Sequence, residues 1–184
     1  MSETATGLEI GAPAPVSGQM RGVDGRSYSL DSFGDSEVLV VVFIANGCPT
    51  VRAYEDRLKD LHEKYADKGA QIVAVNSNNP HLSPFDTHPE MVSRADEAGL
   101  PFPYLKDEDG ALARAFGAIS TPHAFVFDGM RRLRYRGRID DARNPESVKR
   151  RDLQDAVGAF KPVQPVIQFF VGIAGMDLRG AALG

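Results

Sequence analysis

The most apolar stretch of the chain runs without interruption from Val38 to Ile44. Such a run suits a strand buried on both faces, the kind found at the centre of a parallel sheet. Ala45-Asn46-Gly47 then turns the chain, and Cys48 and Pro49 follow. Beyond them Val51, Tyr54, Leu58, Leu61 and Tyr65 recur at spacings of three and four, while Arg52, Glu55, Asp56, Lys59, Asp60 and Glu63 occupy the other side. This periodicity predicts an amphipathic helix. Proline is tolerated at its first position because that backbone N–H has no partner to lose.

Elsewhere the pattern alternates between strand and helix. Residues 1–6 are expected to be disordered, and Leu8 to Val16 reads as an extended lead-in. Val16–Met20 and Arg26–Leu30 flank Gly22-Val23-Asp24-Gly25 and predict a β-hairpin. Asp31-Ser32-Phe33-Gly34 reads as a turn into the central strand. Lys68-Gly69 ends the first helix, and Gln71–Asn76 forms a second buried strand. After a polar loop, Ser77–Asp86, Thr87-His88-Pro89-Glu90 has the form of a helix start, and Gly99 stops that helix. Phe102–Leu105 predicts a short strand, Asp107–Gly110 a turn, and Ala111–Phe116 a brief helix ended by Gly117. Ala124–Asp128 and Arg132–Arg136 predict two strands joined at Asp128-Gly129, and a final helix spans Ser147–Phe160. Strands alternating with helices and closing on an antiparallel hairpin give an α/β sandwich. There is no internal repeat and no clear linker, so a single domain is expected, with its core over about residues 10–160. The apolar tail 161–184 has no assigned role; packing on the domain, self-association into a homodimer and disorder all stay open for it.

Composition narrows the classes. The 184 residues are 42% hydrophobic and 25% charged, with a formal net charge of −4, which argues against a general nucleic-acid binder. The N-terminus lacks a basic segment followed by an apolar one, so no secretory signal is read there. Val166–Met176 is about half the ~20 residues a membrane-spanning helix requires. With one cysteine there is no internal disulfide, and the expected location is cytoplasmic.

That cysteine is the main chemical candidate. Cys48 stands where backbone donors and the positive end of a helix converge, and both favour a thiolate. Arg52, one turn on, adds positive charge, partly offset by Glu55 and Asp56. A small buried hydrophobe is the competing description of a lone cysteine.

Strand, cysteine at a helix start and a later Thr-Pro ahead of another strand resemble the thioredoxin-like superfamily. More narrowly, VVFIANGCPTVRAYEDR, AVNSNNP, FPYLKDEDG, STPHAFVFD and YRGRIDDARNP are similar to the peroxiredoxin-like redoxins of the AhpC/TSA group. The resemblance implies a central mixed β-sheet flanked by helices, here with an N-terminal hairpin extension. It also implies a cis Pro122 whose loop faces the thiol, and a Thr121 backbone free to pair with an extended thiol substrate. Asn46, Gly47, Thr121 and His123 then become substrate-binding candidates, and Cys48, Pro49, Arg52, Thr121 and Pro122 catalytic ones. His123 either approaches Cys48 and stabilises its thiolate or simply begins a strand.

The departures from the family are specific. A CXXC centre needs a second cysteine at position 51, where this chain has Val51. The proline and threonine that precede a peroxidatic cysteine by seven and three residues are replaced by Val41 and Ala45. Related sequences tend to carry histidine where Gly47 stands and a further cysteine where Ser120 stands. The implied activity is therefore reduction of a disulfide or a hydroperoxide by Cys48, completed by an external thiol such as glutathione or a thioredoxin-type protein. A binding module without turnover is the alternative, and no cofactor or membrane partner is expected.

Two other groupings read more plainly. His81, Asp86 and His88 share one loop region without the fixed spacing of a zinc site, so no metal is assigned. Arginines 131, 132, 134, 136 and 138 fit the solvated face of an edge strand better than an anion site.

Overall fold

The computed structural model describes residues 7–160. The segments 1–6 and 161–184, with the apolar tail and the expected N-terminal disorder, lie outside the described residues. In chain order the elements are β1 (Met20–Gly22), β2 (Ser27–Tyr28), β3 (Val38–Phe43), α1 (Pro49–Tyr65), β4 (Ala70–Asn76), α2 (His88–Ala98), β5 (Tyr104–Lys106), α3 (Ala111–Phe116), β6 (His123–Phe127), β7 (Leu133–Gly137) and α4 (Asp152–Gly158). The seven strands form one sheet in the order β2-β1-β5-β4-β3-β6-β7. β3 pairs in parallel with β4, and β4 with β5, whereas β6 runs antiparallel to both β3 and β7. The β1–β2 hairpin extends the far edge through an antiparallel pairing with β5.

β3 is central because every one of its residues is buried. Alternate side chains point to opposite faces of a strand, so its apolar run feeds two cores at once. Val38, Val40 and Val42 pack with Val51, Tyr54, Leu58 and Leu61 of α1, Met91 of α2 and Leu153 and Val157 of α4. Leu39, Val41 and Phe43 face the other way, toward Leu112 and Phe116 of α3, Phe125 and Phe127 of β6, and Leu30 and Phe33. In this second core Phe116 meets Phe43, Phe125 and Phe127 at ring-centre distances of 5.3, 5.0 and 5.6 Å, each edge to face.

Several element boundaries differ from those the sequence predicts, four of them with a local cause. The hairpin is shorter, starting at Met20 rather than Val16, and its turn is shifted: Gly22 N–H bonds to the Arg26 carbonyl, and the Asp24 carboxylate accepts from Arg26 N. The third core strand begins at Tyr104 rather than Phe102, pairing only once it reaches Ala74 of β4. β6 starts one residue early, at His123, where it pairs with Phe43. The last helix starts at Asp152, not Ser147, because the Asp141 carboxylate takes the Lys149 and Arg150 amides and holds that stretch out of helical geometry.

Glycine stops act where they are expected. Gly99 ends α2 in the left-handed region at φ 59°, its N–H bonded to the Ala95 and Asp96 carbonyls. A Cβ there would meet nothing within 4 Å, so Gly99→Ala isolates the backbone cost. It is expected to destabilise the fold by about 1 kcal/mol and lower Tm by about 2–4 °C, as thermal unfolding by circular dichroism would read.

Candidate functional site

α1 starts one residue after Cys48, which is its N-cap with φ −84° and ψ 113°. Three features make the chain turn there. Pro49 occupies the first helical position, Cys48 N–H bonds to the Ala45 carbonyl at 3.2 Å, and Arg52 N–H bonds to the Cys48 carbonyl at 3.2 Å. The side chain is half-buried, neither sealed in the core nor loose in solvent.

The thiol meets the loop before β6. Sγ lies 3.5 Å from the Thr121 carbonyl, to which the S–H donates, and the Thr121–Pro122 peptide is cis. Burial pushes the Cys48 thiol up, but more is pulling it down: the Val51 backbone N–H, the Thr121 side chain, and the N–H and side chain of Thr50. The net shift is below the ordinary thiol value. Donors at a helix start favour the anion over the neutral thiol.

The remaining candidates are distributed around this pair. Pro49 offers its carbonyl to the Arg143 guanidinium at 3.2 Å. Arg52 directs Nε to the Asn46 carbonyl at 3.2 Å, so its guanidinium serves the turn that precedes the cysteine. Gly47 is exposed, and a Cβ there would face the Phe85 ring at 3.6 Å. Asn46 is buried, its Nδ2 donating to the Phe85 carbonyl at 2.8 Å. His123 is directed elsewhere. Its ring lies against Phe125 at 4.5 Å, it makes no hydrogen bond to the thiol, and its pKa is lowered by burial and then by Arg136.

The sequence reading did not single out the polar cluster beneath this turn. Asp86 is only 1% exposed, and its carboxylate accepts four hydrogen bonds. Oδ1 takes the Asn46 backbone N–H at 2.8 Å and Asn76 Nδ2 at 2.7 Å, while Oδ2 takes Asn78 Nδ2 at 2.9 Å and the Ser83 hydroxyl. Tyr104 donates its hydroxyl to Asn46 Oδ1 at 2.8 Å and accepts from Asn76 Nδ2 at 3.0 Å. Burial pushes the Asp86 carboxyl up, and the Ser83, Asn78, Asn76 and Asn46 donors more than reverse it, so the group stays ionised. Three amides in four residues, Asn76-Ser77-Asn78-Asn79, at the end of a largely buried strand are the one local signal of this cluster.

Asp86 thus has no oxygen to spare for a metal, and His88 donates Nε2–H to the Gly22 carbonyl at 2.9 Å. Among the described residues, no three His, Cys, Asp or Glu side chains converge on a metal-ligating arrangement, and no helix is long and apolar enough to cross a membrane. The arginines after β6 are engaged locally. Arg131 caps the Phe33 and Gly34 carbonyls, Arg134 pairs with Asp128, Arg136 reaches the Leu8 carbonyl, and Arg138 pairs with Asp152.

Comparison with known proteins places these features in a family. The model of the AhpC/TSA family matches residues 10–136. A thiol:disulfide interchange protein DsbE of Tatumella citrea is 28% identical over 130 residues, covering 69% of this chain and 64% of that one. A chloroplastic peroxiredoxin Q of Populus jackii is 27% identical over 122 residues, covering 62% and 54%. The chain thus spans less than two thirds of the length of these curated relatives. A crystal structure of a hypothetical protein from Sinorhizobium meliloti 1021 has 36% identity and a TM-score of 0.76, covering 83% of this chain and 84% of that one. The fold is thioredoxin-like.

Proposed function

The chain belongs to the AhpC/TSA family, and on that premise we propose that it is a monothiol redox protein in which Cys48 exchanges with a substrate disulfide. The single observation that carries this reading is the half-buried thiol at the start of α1, set against the Thr121 loop at 3.5 Å. The Cys48 thiolate attacks one sulfur of the substrate. A new S–S bond forms to Cys48, the substrate's own S–S bond breaks, and the second sulfur leaves as a thiolate that takes a proton from water. An external thiolate, from glutathione or a thioredoxin-type protein, then attacks the substrate sulfur held on Cys48: a new S–S bond forms to that sulfur and Cys48 leaves as a thiolate. A second external thiol attacks that bond in turn, releasing the substrate thiol and leaving the two external sulfurs joined as a disulfide. Electrons pass from the external thiol to the substrate, and the chain returns unchanged.

A hydroperoxide is the less favoured substrate. Its reduction would leave a sulfenic acid on Cys48 and release an alcohol, with the external thiol again completing the cycle. Val41 and Ala45 stand where the peroxide-orienting residues of the resembling enzymes lie. A binding module without turnover is favoured by one feature, the buried Val51 at the place of a second cysteine.

Alkylation of Cys48 across pH tests the reading. The rate is expected to rise to a midpoint below that of an unstructured cysteine, because the donors around Sγ outweigh its burial. A midpoint at or above the unstructured value would remove the enzymatic reading and leave the binding module. Mass spectrometry after oxidised glutathione, with Cys48→Ser as the control, is expected to find one adduct per native chain that an added thiol releases.

A further inference from the structure

The Asn46–Gly47 turn is held on every polar atom of Asn46. Its N–H goes to Asp86 Oδ1 and its carbonyl receives Arg52 Nε; its Oδ1 receives the Tyr104 hydroxyl and its Nδ2 reaches the Phe85 carbonyl. Two residues later comes the cysteine, the N-cap of α1, and the first amides of the helix, those of Thr50 and Val51, follow directly. We propose that Asp86 is a positioning residue for the Cys48 thiol: its buried carboxylate fixes the Asn46–Gly47 turn and so the aim of the first amides of α1 at the sulfur. This rests on the reading of Cys48 as a reactive thiol.

The choice of a carboxylate follows from its surroundings. All four groups directed at Asp86 are donors, from the turn (Asn46), from the end of β4 (Asn76) and from the loop after it (Asn78 and Ser83). An ionised carboxylate offers about four lone-pair positions and no hydrogen, so it alone satisfies the set. An asparagine in its place keeps one acceptor oxygen and sets an NH2 group against two donors. The unsatisfied groups must then move, and the N–H of Asn46 is one of them. The loop and the turn meet nowhere in sequence, since Asn46 and Asp86 are 40 residues apart. The carboxylate joins them, beside the bond from Asn46 Nδ2 to the Phe85 carbonyl.

The test compares Asp86→Asn and Ser83→Ala with the native chain, reading the pH profile of Cys48 alkylation beside circular dichroism and Tm. In Asp86→Asn the alkylation midpoint is expected to rise by about half a pH unit or more, and the rate at pH 7 to fall about threefold or more. Ser83→Ala removes one donor on the loop side and leaves the turn's own residues intact; the same shift is expected in smaller degree. A folded Asp86→Asn chain with the native midpoint and rate overturns the proposal. If Asp86→Asn does not fold, Ser83→Ala decides, and a native profile there overturns it. Failure of the thiol reading looks different: the native chain itself would react no faster than an unstructured cysteine, whatever stands at position 86.

Discussion

Val51→Cys is expected to release two equivalents of thiolate from an aromatic disulfide where the native chain releases one. Val51 lies in the first turn of α1, three residues after Cys48, and is 1% exposed. Residues three apart in a helix have Cα atoms about 5 Å apart, inside the range a disulfide spans. Cysteine is smaller than valine, so the exchange costs at most about 1.5 kcal/mol of packing. In the native chain the attack of Cys48 expels one aromatic thiolate and leaves a mixed disulfide that waits for an external thiol. In the variant, the introduced sulfur attacks Cys48 Sγ, closes an internal disulfide and expels the second thiolate. Because that step is intramolecular, it should outrun decay of the native adduct in thiol-free buffer by about 10²-fold or more. The absorbance of released thiolate per chain, with the mass of the product, measures it. One equivalent and a lasting adduct in the variant would place residue 51 out of reach of the sulfur.

The largest loss of stability is expected from Phe116→Ala. Phe116 is fully buried and is the ring on which Phe43, Phe125 and Phe127 converge from two strands. Truncation removes the buried ring and three edge-to-face contacts and leaves a cavity between α3 and the sheet. The expected cost is about 3–5 kcal/mol, which lowers Tm by about 10 °C for a domain of this size. Urea unfolding with an unchanged slope checks that the native topology survives. A loss under about 1 kcal/mol would mean that the second face of the sheet is not close-packed at this point. The site lies at the other core, so Cys48 alkylation in the folded variant should stay native.

Much of this architecture is legible in the residues themselves. The Val38–Ile44 run suits a doubly covered strand, which the fold places at Val38–Phe43, and the three-and-four spacing from Val51 to Tyr65 puts α1 directly after the cysteine. Gly69, Gly99 and Gly117 end the elements before them in left-handed conformations. Boundaries slipped where side chains from distant residues took over backbone groups, as Asp141 does before α4. The site was half legible. Cys48 and the Thr121–Pro122 loop follow from local patterns and family resemblance. Asp86 does not: the sequence sets it beside His81 and His88 as a weighed metal ligand, and only the fold brings Asn46 and Asn76 to it. The Arg52 side chain, expected to add charge near the sulfur, also bonds through Nε to the backbone carbonyl of Asn46, a contact the sequence does not announce.

The N-terminal lead-in has a consequence for how the molecule behaves among its own kind. Gly11 and Ala14 donate their amides to the Leu133 and Arg131 carbonyls, and the Ala12 carbonyl receives the Leu133 amide, so the lead-in covers the start of the outer side of β7. At the opposite margin β2 is two residues long. Among the described residues, both margins offer only short open ladders, a poor template for ribbons growing from chain to chain. Crowding should therefore leave little of this sheet open to lateral extension by another copy.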